Sequence, residues 1–463
     1  MGRQDIELMA HLMRRAGFGA TRDELGAYAA TGYKATVERL LSPGESWWVG
    51  DAMVRRFDHE ASGMINHPGS ARNWIYRMIT STAPLQEKMT LFWHQLLAVG
   101  ISKSNNHDPL HVQIAGFRRN ALSDLRTVLI DVSTDPAMIY WLDNQENLKD
   151  APNENYGREL LELFSMGVGN YTEEDVKAST QAFTGWSFTS IIPSTTIPAR
   201  FAYDEDAHDD SNKMFLGESG AFNGEDIVEI VVKQPATARF LSRLLYNYFV
   251  ADERPVATWN EVPPQDPDAI DVLSEVYLES EGRIKPILRA LFNAEFFKES
   301  QFKRVKSPVE LVTGLLKLQG TFKIPQPGMN RYDGAAQSMG QTLINPLSVE
   351  GWHTGPEWID GGTLNERVNY AVAEVSDPSL PGIRGIIDRL AQDAPLTPVQ
   401  LVDHCLDLLG PVRVGGESRD SLISHAATGG TLDFDNGLDC EDVETRVIKM
   451  LQLIVSTREY QFG

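Results

Sequence analysis

Residues 84–99 read PLQEKMTLFWHQLLAV, and this stretch decides the fold class. Pro84 suits the first turn of a helix, where its missing N–H costs nothing. From Leu85 to Val99, apolar side chains then fall on nearly every side of the helix. A helix that is apolar all round is normally enclosed by other parts of the protein. We therefore predict a mainly α fold with this helix in its interior.

Helical periodicity continues on both sides of this stretch. It predicts further helices at 33–41, 71–80, 117–133, 153–166, 172–184, 237–250, 308–318, 364–375, 397–409 and 441–456. The pattern changes after Gly185, where β-branched residues predict a small hairpin and a long loop near residues 186–223. Since no Gly-, Ser- or Pro-rich linker divides the chain, we predict one helical domain over residues 1–463 with this insertion.

Composition limits the classes of partner. The chain has 42 Lys and Arg against 64 Asp and Glu, a formal charge of −22, and this field repels phosphate backbones. We therefore expect no nucleic acid as partner, while a small molecule or a polymer is a possible substrate. No apolar run reaches the roughly 18 residues of a membrane span. Because the start of the chain lacks a signal peptide's apolar core, we expect a cytoplasmic protein or a secreted one without its leader.

Only two cysteines are present, Cys405 and Cys440. Two are too few for a disulfide scaffold or a four-cysteine zinc site. One disulfide bridge and two free thiols are both compatible with their spacing.

Several stretches of the sequence together resemble a known bacterial family. They are HLMRRAGFG at 11–19, KMTLFWH at 88–94, DPAM at 135–138, PNENYGRELLELF at 152–164, GVGNYT at 167–172, FTGW at 183–186, KMFLG at 213–217, PATARF at 235–240, KSPVEL at 306–311, MGQ at 339–341, GW at 351–352 and STREYQ at 456–461. In this order they resemble the family known as domain of unknown function 1800, over essentially the whole chain. The resemblance implies one long helical domain and no particular reaction. Many members of the family look secreted, and Gln234 stands where the family often has a histidine.

The segment 153–166 carries the first candidate site. At about 100° per residue, Asn155, Glu159 and Glu162 share one face of the predicted helix. Two carboxylates spaced i, i+3 beside an amide suit either a metal ion or acid/base chemistry. The alternative is a solvated ladder in which Arg158 pairs with glutamates four residues before and after it.

His94 lies in the apolar helix predicted at residues 84–99. A buried imidazole that met Glu159 and Glu162 would form a His/carboxylate centre of the kind found in helical bundles. Our leading hypothesis is an enzyme with Glu159, Glu162, His94 and Arg158 as catalytic residues. A divalent metal is possible there, with His94, Glu159, Glu162 and the loop residue His208 as ligands. The alternative is a core histidine bonded to a carbonyl or carboxylate.

Two other functions compete with this hypothesis. The first is metal-free hydrolysis of a polysaccharide by two carboxyl groups about 5–9.5 Å apart. Since Glu159 and Glu162 on one helix are close together, Asp175 or Asp209 would then be a partner. The second is a non-catalytic surface or secretion-associated scaffold, which requires His94 and both glutamates to be fully internal.

Weaker candidates complete the set. His107 and His111 have the i, i+4 spacing of two metal ligands, or are surface histidines. The oxygen-rich residues of 143–155 suit calcium, although helix capping by Asn153 explains them equally. The tryptophans could line a polymer groove or anchor loops: Trp47, Trp48, Trp186, Trp352 and Trp358. The sequence contains no nucleophile elbow, phosphate loop or dinucleotide fingerprint.

Overall fold

The structure, a computed structural model, describes residues 2–44, 69–104, 107–189, 199–322, 330–434 and 440–463. In that part of the chain, 62% of residues are helical, with 23 α-helices and two small antiparallel sheets of two strands each. The prediction of a mainly α fold with a small hairpin insertion is confirmed.

The chain divides into two compact units. The first unit comprises Met1–Leu85, Phe297–Leu343 and His353–Gly463. Its described helices are Arg3–Arg15, Arg22–Thr31, Tyr33–Leu41, Gly69–Thr80, Pro308–Gln319, Asn330–Ser338, Gly361–Glu374, Pro381–Gln392, Pro398–Leu408, Gly416–Thr428 and Cys440–Val455. That the chain forms one helical domain over residues 1–463 stays a prediction.

The second unit comprises Gln86–Phe296 and Ile344–Trp352. Its described helices are Pro84–Leu96, which begins two residues before the unit does, Ile101–Ser104, His107–Arg119, Leu125–Ser133, Pro136–Trp141, Asn155–Glu162, Glu173–Ala182, Gly224–Val232, Pro235–Phe249, Pro267–Glu279, Ile284–Asn293 and Glu295–Lys298, which ends two residues beyond it. The four short strands lie between the helices Glu173–Ala182 and Gly224–Val232.

The helix Pro84–Leu96 lies in the core of the second unit, as its composition predicts. Trp93 is buried, and its Nε1–H donates to the carbonyl of Ala121 at 3.1 Å. Even the polar residue Glu87 is buried, and it accepts a hydrogen bond of 2.6 Å from Arg118. The polar groups of Trp93 and Glu87 are therefore buried in this core with hydrogen-bond partners from the same unit.

The insertion contains two hairpins. Strands Trp186–Thr189 and Arg200–Tyr203 pair antiparallel, as the predicted hairpin requires, and the register places Trp186 opposite Tyr203. A second pair, Lys213–Phe215 with Glu218–Gly220, forms where we expected a loop. Its turn places both Leu216 and Gly217 at positive φ, a tight geometry that glycine tolerates.

One predicted helix is divided in two. The pattern at 117–133 predicted a continuous helix, whereas the structure has His107–Arg119 and Leu125–Ser133. Asp124 ends the continuity because its carboxylate accepts the backbone N–H of Thr127 at 2.8 Å. A side chain in this position satisfies a free N–H at a new helix start.

The described helices are short. The longest described helix, Cys440–Val455, has 16 residues. Within the described ranges, no helix combines the length and the apolar character that a bilayer crossing requires.

Cys405 is a free, buried thiol, and burial raises its pKa to about 12. The Cys440 side chain lies outside the described part of the chain.

Candidate functional site

The helix Asn155–Glu162 is fixed at its start by amide side chains. The N-cap position is Glu154, and the side-chain carbonyl oxygen of the preceding Asn153 accepts the N–H of Asn155, the first helical residue, at 3.1 Å. The buried Asn147 accepts the N–H of Asn153 at 3.0 Å and donates to the carbonyl of Thr180 at 2.8 Å. The Asn147 and Asn153 side chains are thus engaged with backbone groups at the start of this helix.

The inner face of this helix is packed against the helix Glu173–Ala182. Tyr156 is buried, its hydroxyl hydrogen-bonds Ser133, and its ring meets Phe183 edge-on at 4.9 Å. Gly157 permits the close approach, because a Cβ there would lie 2.8 Å from Thr180 Oγ1 and 2.9 Å from its backbone nitrogen. The inner contacts thus determine which side chains point outward.

Arg158 joins the two helices on their outer side. Its guanidinium donates to Glu154 at 3.1 Å and to both carboxylate oxygens of Glu173 at 3.0 and 2.7 Å. The hydrogen bond from Arg158 lowers the pKa of Glu173 below its ordinary value. The alternative of a solvated ladder paired Arg158 with Glu154 and Glu162; the structure has the pair with Glu154, and the second partner is Glu173 of the next helix. Its donors are engaged in holding the two helices together.

Glu159 and Glu162 are both half-buried on the same side of the helix. Burial, together with the charges of Glu162 and Glu350, raises the pKa of Glu159 to about 7. Arg158 opposes this shift. Glu162 accepts a hydrogen bond from the Tyr171 hydroxyl at 3.0 Å, which holds its carboxylate in place. A carboxyl group titrating near neutral pH can give or take a proton in a reaction.

Glu350 is a member of this group that sequence reasoning missed. It is exposed and lies in the turn Ser348–Gly351, which belongs to the second unit although it is almost 200 residues further along the chain. Gly351 has φ +88, and a Cβ there would lie 2.3 Å from the carbonyl oxygen of Gln95. The Gly351-Trp352 pair was the only sequence signal near Glu350.

His94 is completely buried among aromatic rings. The Trp352 ring lies 5.2 Å from the imidazole and the Phe117 ring 6.5 Å from it. Burial lowers the pKa of His94 to about 3, so the side chain is neutral at physiological pH. Trp352 follows Glu350 by two residues, so this one turn reaches both His94 and the electrostatic neighbourhood of Glu159.

His208 secures the insertion. It is buried, and its Nδ1–H donates to the Thr184 carbonyl at 2.9 Å. Its Nε2 lies 3.9 Å from the exposed Asp210. The neighbouring Asp209 has a lowered pKa; burial opposes this shift, and hydrogen bonds from Ser211 outweigh it. These contacts describe an anchored loop.

The described residues contain no group of three or more His, Cys, Asp or Glu side chains that could hold a metal ion. The predicted ligands His94, Glu159, Glu162 and His208 are all described, and they form no such group. For His94 and His208, the surroundings of the side chain give the physical reason. His94 is enclosed by aromatic rings, and the Nδ1 of His208 is occupied by a backbone carbonyl.

The remaining candidates are the tryptophans and His107. Trp186, Trp352 and Trp358 are buried, which fits loop anchoring rather than a polymer groove. Trp47 and Trp48 lie outside the described residues, as does the side chain of His107.

Comparison with known proteins identifies one family. The sequence model of the family described as "Protein of unknown function (DUF1800)" matches residues 11–462. No curated protein and no solved structure shows a significant match to the chain. Since the family match extends over nearly all of the sequence, the chain belongs to the DUF1800 family of proteins of unknown function.

Proposed function

We propose that the second unit carries a metal-free acid/base site, in which Glu159 transfers a proton and a second carboxylate assists hydrolysis. The observation that supports this most is the raised pKa of Glu159, about 7, in a half-buried position. A general acid or base works best when its pKa lies near the working pH. Environments that raise the pKa of one carboxyl beside others are typical of acid/base sites.

Glu350 suits the role of the second carboxylate better than the residues expected from sequence. Asp175 caps its own helix through Thr172 and also accepts the N–H of Leu216 at 2.8 Å. Asp209 is held by Ser211. Glu350, in contrast, is exposed and comes from a separate segment of the second unit, so the pair is not confined to one helix face.

The charges around Glu159 indicate an uncharged substrate. Glu162 and Glu350 raise its pKa through their negative charges, and Arg158, a cation that lowers it, is bound to other carboxylates. An anionic substrate would be repelled from such a site. A neutral polysaccharide, cleaved at a glycosidic bond by two carboxyl groups, fits this field and requires no metal.

Half-exposure of the two helix glutamates also separates this proposal from the scaffold alternative. A scaffold required His94, Glu159 and Glu162 to be fully internal. Only His94 is. Both glutamates retain contact with solvent, where a substrate can reach them.

Release of new reducing ends from a panel of uncharged polysaccharides tests the proposal. We expect Glu159→Gln to lower the rate by about 100-fold or more, as loss of a general acid typically does. Glu279→Gln, which changes an exposed glutamate at the end of the helix Pro267–Glu279, is the matched control and should keep full activity. A Glu159→Gln enzyme as active as wild type would overturn the proposal.

A further inference from the structure

The first unit contains a cavity of about 80 Å³ whose lining is rich in cations. Four basic side chains line it: Arg14 and Arg15 from the helix Arg3–Arg15, Lys306, and Lys317 from the helix Pro308–Gln319. Three of the stretches that carry the family resemblance, 11–19, 306–311 and 456–461, contribute to this lining. In a chain of net charge −22, such a concentration of positive charge is unusual and requires an explanation.

The lining also contains the side-chain carboxylate of Glu310, which is engaged by a residue outside the lining. Glu310 is buried and accepts two hydrogen bonds from Arg304, at 2.9 and 2.8 Å. It also accepts the backbone N–H of Ser307 at 2.7 Å. Its charge is therefore matched by Arg304, and within the described residues Arg14 donates no hydrogen bond to it.

Arg14 has hydrogen-bonding capacity to spare. Its Nη1 donates to the carbonyl of Gly410 at 2.7 Å, and its guanidinium lies over the Phe302 ring at 4.7 Å. Its Nε and Nη2 are buried and make no hydrogen bond within the described residues. Buried charged donors without an acceptor are costly, so an acceptor in the cavity would stabilise them.

Three basic groups in and beside the cavity lining have lowered pKa values. Burial lowers the pKa of Arg14 to about 10. Burial also lowers the pKa of Lys306 well below its usual range, and the charges of Arg14 and Arg367 lower it further. The pKa of His11 falls to about 2 through burial and the charges of Arg15 and Arg14. Burial is the largest cause of each shift, and the charges of neighbouring cations add to it for Lys306 and His11.

We propose that this cavity binds a small oxyanion, a carboxylate or phosphate group, with Arg14 and Lys317 among its donors. Guanidinium and ammonium groups are the usual partners of these oxyanions. The volume is about half that of a 150 Å³ cavity that holds benzene, so it suits a group of a few atoms. Apolar walls from Phe18, Leu311 and Leu315 add room for a short alkyl chain. This site lies in the first unit, and the inference is independent of the proposed chemistry at Glu159.

Calorimetric titration with inorganic phosphate, acetate and butyrate tests the proposal. Sodium chloride at matched ionic strength is the reference, because salt alone screens the repulsion within an acidic chain. We expect saturable binding of at least one oxyanion and a rise in thermal midpoint with its concentration. If the apolar walls contribute, butyrate binds tighter than acetate by up to about fourfold per methylene. Phosphate binding alone assigns the site to phosphate groups, and acetate or butyrate binding alone assigns it to carboxylates.

Three variants make the test specific. Arg14→Met and Lys317→Met should each weaken binding by about tenfold or more, the usual effect of losing a charged hydrogen bond. Lys449→Met removes the same charge from an exposed position in the first unit, outside the lining, and should bind as wild type does. Lys317→Met decides the question if Arg14→Met fails to fold. No saturable binding of any of the three anions, or an equal loss in Lys449→Met, would overturn the proposal.

Discussion

Replacing Glu162 with glutamine should lower the pKa of Glu159, because the charge of Glu162 is one of the causes that raise it. Residues spaced i, i+3 on a helix have Cβ atoms about 5–6 Å apart. Two unit charges about 6 Å apart repel by about 0.7 kcal/mol in water and about 2.8 kcal/mol at an effective dielectric constant of 20. At about 1.36 kcal/mol per pKa unit, the pKa of Glu159 should fall from about 7 to between about 5 and 6.5.

The measurement is a pH titration of glutamate side chains labelled with ¹³C at the carboxyl carbon. The Glu159 signal is identified by its absence from the Glu159→Gln spectrum. Glu279→Gln, which removes the same charge from an exposed position on another helix, should leave the Glu159 titration unchanged. A Glu159 titration that is the same in wild type and in Glu162→Gln would refute the electrostatic coupling.

Three further predictions follow from the same structure. Since the folded-state pKa of Glu159, about 7, lies above its ordinary value of 4.5, its contribution to stability is full below about pH 4.5 and is lost as the pH rises through 7. The fall in thermal midpoint between pH 5 and pH 8 should therefore be smaller in Glu159→Gln than in wild type, and equal falls would contradict this. Gly157→Ala should destabilise the protein by about 1–3 kcal/mol, because the new Cβ meets Thr180. Gly385→Ala, in the helix Pro381–Gln392 with open space at its Cβ, should instead stabilise by up to about 1 kcal/mol; a thermal midpoint raised by both changes would contradict the packing argument. The ring protons of His94 should keep constant chemical shifts between pH 5 and pH 8, because its pKa is about 3, and a titration there would contradict the burial argument.

Local patterns in the sequence predicted much of the fold. The helix Pro84–Leu96 was recognisable because apolar residues cover it on nearly all sides. The pairing of Trp186–Thr189 with Arg200–Tyr203 was likewise recognisable from β-branched and aromatic residues. These elements are determined by side chains close together in the sequence, so a single sequence is enough to predict them.

Two C-terminal helices gave no clear signal. Pro381–Gln392 begins PGIRG and Gly416–Thr428 begins GESRDS, and glycine and serine are weak helix formers. Packing overrides propensity in the first of these. A Cβ at Gly382 would lie 1.7 Å from the Leu318 carbonyl oxygen, so glycine is needed where the two backbones meet.

The candidate site was only partly predictable. Helical spacing placed Glu159 and Glu162 together, and the charge of Glu162 acts on Glu159 in the structure. It could not reveal Glu350, because the return of residues 344–352 to the second unit depends on tertiary packing. Nor could it show that Arg158 is bound to Glu173 of the next helix. Contacts between distant segments decide which polar side chains are free to act.

The most direct test of the acid/base account is the pKa of Glu159 in the wild-type protein, read from its ¹³C carboxyl titration. We predict a midpoint near 7, where a half-buried carboxyl close to two other carboxylates still holds its proton at mildly acidic pH. A midpoint near the ordinary value of 4.5 would mean that Glu159 is a solvated surface group, and it would contradict the proposed site.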